Sequence, residues 1–214
     1  MGQVTEAKRI KKYVEEWLEK QPELRSLKKY AFHTIGNEVK RLLECLHSCG
    51  MYEENKEHIE TVALLSDLHD IGKLYVPAAI LDKKASLTEK EWRIIKKHPV
   101  WGSRILETAL SELERMRPEE DRAALRKTGV LAKEICLYHH ERYDGNGYPY
   151  GLKNTEISLE AQVVSIADVL DALRSSKRSY RTAINKKEAI EMICSGQCGA
   201  FSPDLCTIIK NIRW

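Results

Sequence analysis

Two short segments of the sequence concentrate side chains that bind metal ions. In residues 69–73 an imidazole and a carboxylate are adjacent, and a glycine and a lysine follow them. Residues 139–149 begin with two consecutive histidines and continue into a loop rich in glycine. Neutral imidazole and carboxylate form the ligand pair that mid-row divalent metals accept. The two segments therefore predict a metal-dependent site, where Lys73 could meet a phosphate as a point charge.

Each candidate residue alone has a plainer explanation, since a histidine in a helical protein is more often a hydrogen-bonded interior group than a ligand. The whole set is harder to explain in that way. Asp168 follows Val164 and Ile166, and a buried carboxylate costs several kcal/mol unless a charge or a metal satisfies it. The candidate ligands fall at helix ends or inside apolar helical faces: His33, His69, Asp70, His98, His139, His140 and Asp168.

The segments between these residues carry helical periodicity. Ile10, Val14 and Leu18 recur every four residues, and a second apolar stripe covers residues 35–46. No run of alternating apolar and polar residues predicts a strand, and no internal repeat is visible. The sequence therefore predicts an all-α fold.

The candidate histidines lie near predicted helix ends. Thr88 and Glu91 fit a capping box at the start of one helix. That helix should end at His98, because Pro99 disfavours helical geometry in the residue before it, and the next should begin near Val100. Another helix is predicted over residues 119–140. Three further helices are predicted to begin at Ser158, Asn185 and Ser202.

Length and charge limit the classes of protein to consider. A chain of 214 residues can bury one substantial core, so we expect one domain with an N-terminal helix, residues 1–25, that packs on it or leads into it. The 35 basic and 32 acidic residues are evenly spread and predict no surface for extended nucleic acid. No segment approaches the roughly 18 apolar residues of a membrane span.

The compartment is predicted from the N-terminal segment and the cysteines. The first residues carry no apolar core of a signal peptide. The six cysteines lack the paired spacing of a zinc module. We therefore expect a cytoplasmic protein with reduced thiols.

In order along the chain, these segments resemble the HD-GYP family, a subgroup of the HD-domain metal-dependent phosphohydrolases. The resemblance rests on His-Asp-Ile-Gly-Lys at 69–73, on the helix before His98, and on the run 139–149 with its Gly-Tyr-Pro sequence. It continues through Ala167-Asp168-Val169 and covers roughly residues 26 to 210. It implies an HD-domain helical bundle of the HD-GYP type at residues 26–214, and a family activity on cyclic di-GMP, a bacterial second messenger.

The resemblance also implies two divalent metal ions, iron or manganese first and nickel or zinc next, since ligand type suits all four. One ion would be held by His33, His69, Asp70 and Asp168. Asp70 would bridge to a second ion held by His98, His139 and His140. Two cations about 3.5–4 Å apart can activate water and polarise a phosphoryl oxygen. Lys73 would offset charge on the phosphate.

The sequence departs from the family pattern near both ends of the site. Lys29 stands four residues before His33, where members with a third metal have a glutamate, so we expect two metals. The segment after His33 lacks the arginine that the family often has there, and the spacing to His69 is long. The family's Arg-Pro-Tyr sequence is replaced by Arg178-Ser179-Tyr180, with Arg181 next.

Substrate and partner contacts are predicted around the Gly147-Tyr148-Pro149 loop. Tyr148, Arg178 and Arg181 are the candidate substrate-binding residues, and the loop itself is a candidate surface for a signalling protein. Glu141 and Asp144 are expected to accept the outer N–H of a ligand histidine and so fix its tautomer.

Three functions are compatible with these residues. The first is hydrolysis of cyclic di-GMP to linear pGpG, with further hydrolysis to GMP left open, in which Asp70 and Lys73 serve catalysis. The second is an HD-type phosphohydrolase that acts on another nucleotide. The third is a regulatory module that keeps the fold and acts through partner contact. The complete ligand set favours an enzyme, because a degenerate site would have lost some of its costly buried polar groups.

Overall fold

The computed structural model describes residues 2–175 and 184–212. Within these residues the chain forms twelve α-helices and no β-strand, which confirms the all-α prediction. The helices are α1 (Gln3–Glu19), α2 (Pro22–Arg25), α3 (Lys28–Ala31), α4 (Gly36–Ser48), α5 (Lys56–Ser66), α6 (Ala78–Leu81), α7 (Glu89–Ile95), α8 (His98–Arg115), α9 (Glu119–Tyr138), α10 (Leu159–Arg174), α11 (Lys186–Cys194) and α12 (Pro203–Asn211). Short 3-10 helices span Ile71–Tyr75 and Asn154–Glu156.

Local capping explains where several helices begin. Thr88 and Glu91 form the predicted capping box of α7, each side chain bonding the other's backbone N–H. Ser158 and Asn185 accept hydrogen bonds from backbone N–H groups three residues further on, at the starts of α10 and α11. The predicted starts of these three helices are confirmed.

The predicted boundary around His98 is wrong. Helix α7 ends at Ile95, and α8 begins at His98 itself, with Pro99 in its first turn. Proline suits that position because the N–H it lacks would have no partner in the first turn of a helix. His98 is therefore fixed at the start of a long helix, which gives a potential ligand a rigid base.

The core lies around α5 and the 3-10 helix that follows it. Helices α1, α4 and α9 pack on α5, while α8 packs on α9 and on the 3-10 helix at Ile71–Tyr75. Helix α10 packs on α9, α4 and α11. The central segment that carries His69 and Asp70 is thereby enclosed by the other helices.

Helix α1 contributes to the same core. Ile10, Val14 and Leu18 are buried along one face, as their spacing predicted, and Ala7 is buried with them. The division of the chain at residue 25 stays a prediction. In the part of the chain described, no helix is both long and apolar enough to cross a membrane.

A pair of glycines sets the distance between the 3-10 helix and α8. A Cβ atom on Gly72 would overlap the carbonyl oxygen of His98 and the backbone nitrogen of Gly102. The backbones can therefore approach closely only because position 72 carries no side chain. This approach places Asp70 near His98.

We expect Gly72→Ala to destabilise the fold by about 1–3 kcal/mol, because the added methyl group meets rigid backbone. The matched control is Gly129→Ala in α9, where a Cβ would meet only the flexible end of Leu110. Chemical denaturation of both variants measures the difference. Equal stability of Gly72→Ala and the unaltered protein would show that the two backbones can separate without cost.

Candidate metal centre

Five different elements of the fold bring the predicted ligands together. His33 lies in the loop between α3 and α4, and His69 and Asp70 follow α5. His98 begins α8, two histidines follow the end of α9, and Asp168 lies within α10. Residues far apart in sequence therefore meet at one site, most of them buried: His33, His69, Asp70, His98, His139, His140 and Asp168.

The carboxylate of Asp70 lies between two groups of imidazoles. Its Oδ1 is 3.2 Å from Nε2 of His98 and 3.8 Å from Nε2 of His139. Its Oδ2 is 3.1 Å from Nδ1 of His33 and 3.4 Å from Nε2 of His69. The two oxygens thus face different histidines, as a carboxylate shared by two cations requires.

The potential ligand atoms form two overlapping groups, each with all its atoms within 4.8 Å of one another. One group contains Asp70, His98, His139 and His140, and the other contains His33, His69 and Asp70. Asp70 is the residue common to both. Asp168 stands next to the second group, with Oδ1 3.6 Å from Nε2 of His69.

Backbone carbonyls orient three of the histidines. Nδ1 of His69 lies 2.7 Å from the carbonyl oxygen of Ser66, and His98 and His139 make the same bond to the residue three positions earlier, at 2.8 Å each. A protonated Nδ1 in this bond leaves Nε2 free as the ligand atom. The prediction that Glu141 and Asp144 accept these N–H groups is therefore wrong for these three histidines.

Charge around Asp70 favours its ionised form. Burial opposes ionisation, but Lys73 and His69 hold the pKa of this carboxyl well below its usual range. Burial also opposes the charged form of His69, yet Asp70 and Asp168 raise the pKa of this imidazole to about 10. The two carboxylates therefore create a site that attracts positive charge.

Two of the imidazoles on the other side of Asp70, those of His139 and His140, favour the neutral form. Burial and the neighbouring histidines lower the pKa of both His139 and His140 well below the ordinary value. Neutral imidazole is the form that binds a metal ion. His98 and His139 approach each other to 3.3 Å between their Nε2 atoms.

Two buried atoms show that this donor set fits metal ions. Nε2 of His69 and Oδ1 of Asp70 make no hydrogen bond to any described residue. Buried polar atoms normally have partners, so an orphaned pair inside a histidine and aspartate cluster needs a ligand of another kind. Divalent cations satisfy both atoms with the chemistry already present.

Lys73 lies at the edge of this cluster. Its Nζ is 2.5 Å from Oδ2 of Asp70, and a fifth of its side chain is exposed. The lysine therefore reaches both the shared carboxylate and the solvent side of the site. Its predicted contact with a substrate phosphate stays a prediction.

The Gly147-Tyr148-Pro149 loop covers the side of the cluster near His140. The ring of Tyr148 stacks on that of His140, with centroids 4.7 Å apart and planes at 26°. Burial first, and then Asp70, raises the pKa of Tyr148 above the ordinary value, so its phenol stays neutral. Tyr148 therefore forms a wall of the site, where it could contact a substrate.

Sequence reasoning missed how this loop is held. Glu141 is buried, and its two carboxylate oxygens accept backbone N–H groups of Tyr150 and Leu152 at 2.7 and 3.1 Å. Arg142 donates to the hydroxyl of Ser165 in α10 at 2.7 Å and to the carbonyl of Glu141. In the sequence, the two charged residues Glu141 and Arg142 follow the histidine pair directly. This is the signal that could have indicated that they anchor the loop.

Asp67 was also missed, although it lies in the apolar run before His69. Its carboxylate accepts backbone N–H groups from Ile35 and Gly36, close to His33. Arg178 and Arg181, the other predicted substrate contacts, lie outside the described residues.

Comparison with known proteins identifies the class of this protein. The family model described as HD domain matches residues 25–204. The chain therefore belongs to the HD domain family, whose phosphohydrolases are metal-dependent. A solved structure of an HDG"Y"P protein from Bdellovibrio bacteriovorus aligns with a TM-score of 0.56 and 18% identity, over 83% of this chain and 50% of that one. This likeness supports the fold, and the resemblance to HD-GYP proteins is confirmed.

Relatives with assigned functions support the same class of protein. The chain is 36% identical to a cyclic di-GMP phosphodiesterase of Pseudomonas aeruginosa over 69% of its own length and 31% of the relative's. It is 34% identical to the cyclic di-GMP phosphodiesterase response regulator of Xanthomonas campestris, over 73% of this chain and 38% of that protein. It is 31% identical to a 3'3'-cGAMP-specific phosphodiesterase of Vibrio cholerae, over 81% of this chain and 30% of that protein. The chain thus spans about a third of the length of these relatives.

We expect Asp70→Asn to lower the affinity for metal at both groups of histidines, because this carboxylate faces both. His98→Ala should weaken mainly one ion, since His98 belongs to one group. Metal content after dialysis, measured by mass spectrometry, tests both variants. Full metal content in Asp70→Asn would contradict the shared position.

Proposed function

We propose that this chain hydrolyses a phosphodiester bond of a cyclic dinucleotide, cyclic di-GMP first among them, to linear pGpG. The observation that carries the proposal is the Asp70 carboxylate, whose two oxygens face two separate sets of histidines. The relatives named as cyclic di-GMP and cGAMP phosphodiesterases support the substrate class. Whether hydrolysis continues to GMP is part of the same experiment.

Two metal ions fit the donor set, with iron or manganese as the first candidates and nickel or zinc as the next. His33, His69, Asp70 and Asp168 would hold one, and Asp70 with His98, His139 and His140 the other. When bound, such a pair activates water and stabilises both the attacking and leaving oxygens of an in-line displacement. Lys29 stands at the position of the family's third-metal glutamate, which supports two ions rather than three.

The chain's own residues would hold the substrate in place. Lys73 brings a positive charge to the cluster and would neutralise a phosphate oxygen as negative charge develops. Tyr148 offers an aromatic surface for a base, and Nζ of Lys96 lies 5.5 Å from the centroid of its ring. These groups place positive charge and an aromatic face beside the candidate metal centre, which suits an anionic nucleotide. Arg178 and Arg181 stay predicted contacts.

The experiment is turnover of cyclic di-GMP and of 3'3'-cGAMP by protein loaded with manganese or iron. We expect release of a linear dinucleotide, identified by mass spectrometry, and loss of turnover after chelation. Faster turnover of 3'3'-cGAMP would reassign the substrate within the same class. Hydrolysis of an unrelated nucleotide alone, by the same loaded protein, would support the general HD-type phosphohydrolase instead.

A regulatory module is the second candidate function. Tyr150, just after the Gly147-Tyr148-Pro149 loop, is 60% exposed and offers an aromatic contact for a signalling protein. No turnover of any cyclic dinucleotide by protein with both ions bound would favour this function. A cytoplasmic location belongs to the same proposal.

Lys73→Gln should lower turnover of cyclic di-GMP about a hundredfold while metal content stays unchanged. Removing the ammonium next to Asp70 leaves the negative charge of the carboxylate without that positive neighbour, so cation binding should not weaken. Lys90→Gln, at an exposed position of α7, is the control for loss of one positive charge. Metal loss in Lys73→Gln as large as in Asp70→Asn would instead make Lys73 a structural residue.

A further inference from the structure

The predicted ligands differ in how firmly the structure holds them. His69, His98 and His139 have fully buried side chains and a backbone carbonyl that orients each ring. The side chain of His33 is 36% exposed, and its Nδ1 faces Asp70. Its position therefore depends on the loop that carries it.

Asp67 holds that loop. Its Oδ1 accepts the backbone N–H of Ile35 at 3.1 Å and that of Gly36 at 3.3 Å. Helix α4 begins at Gly36 and has no capping side chain of its own. Asp67 directly follows α5, and its carboxylate thus caps the N-terminus of α4. There the negative charge also interacts favourably with the positive end of the dipole of α4.

Lys11 of helix α1 completes this contact. Its Nζ is 2.5 Å from Oδ2 of Asp67, so each carboxylate oxygen has a different partner. Only 10% of the Asp67 side chain and 27% of the Lys11 side chain are exposed. A salt bridge shielded to this degree is screened less by solvent than one at the surface.

We propose that Asp67, held by Lys11, is a positioning residue for His33 and that it sets the affinity of the metal group formed by His33, His69 and Asp70. The inference rests on the proposed metal centre. Through Lys11, helix α1 then also determines the position of His33, although this helix precedes the region that matches the family. The other group, around His98, does not depend on this loop.

The test measures binding of Mn²⁺ to the metal-free full chain, without substrate. Asp67→Asn removes the charge that Lys11 contacts and keeps the shape of the side chain. We expect about tenfold weaker binding of one ion, a typical effect of losing a group that orients a ligand, and no change at the other ion. Lys11→Met should weaken the same ion. Lys12→Met, whose side chain is 78% exposed, is the control and should change neither.

A double-mutant cycle separates positioning from general stability. In a His33→Ala background, Asp67→Asn should have no further effect on Mn²⁺ binding, because the residue it positions is absent. An additive loss, or equal weakening of both ions, would overturn the inference, and so would a His33→Ala variant that binds both ions normally. Because no turnover is measured, a protein that binds two ions and hydrolyses nothing would refute the proposed activity while the cycle still decides the role of Asp67.

Discussion

The site depends on one buried carboxylate. Asp70 is fully enclosed, carries negative charge, and directs one oxygen toward His98 and the other toward His33 and His69. A buried charge is unfavourable unless opposite charge compensates for it, so the surrounding structure must supply positive groups. Lys73 supplies one such group, and divalent cations bound by the histidines would supply the rest.

Rigid backbone, rather than long side chains, fixes the positions of this carboxylate and its histidines relative to one another. The close approach at Gly72 brings α8 to the segment that follows α5. Carbonyl oxygens one helical turn earlier orient His69, His98 and His139, so helix ends determine the direction of each ring. Glu141 holds the neighbouring loop by two backbone N–H groups. The side of the site near His33 is the more open one.

Local sequence patterns predicted most of the fold and the types of the site residues. Caps such as Thr88 act within one helical turn, so the sequence reveals them directly. The start of α8 was misplaced because proline fits both the position just after a helix and the first turn of a helix, and the sequence does not distinguish the two cases. The candidate ligands were recognisable because buried histidine and aspartate are costly without a function, as Asp168 illustrates.

Contacts between residues distant in sequence were not predictable in the same way. Asp67 meets amides 31 and 32 residues earlier, and no periodicity encodes that meeting. The sequence could have marked Asp67 as buried and paired, because an acid in an apolar run needs a partner, as Asp168 does. It would not have identified Lys11, because that choice depends on how α1 packs on α5.

Anomalous diffraction from crystals of the manganese-loaded protein tests most directly whether two cations share Asp70. We expect two anomalous peaks about 3.5–4 Å apart, one beside Oδ1 of Asp70 with His98 and one beside Oδ2 with His33 and His69. A single peak, or two peaks with Asp70 in contact with only one of them, would contradict it.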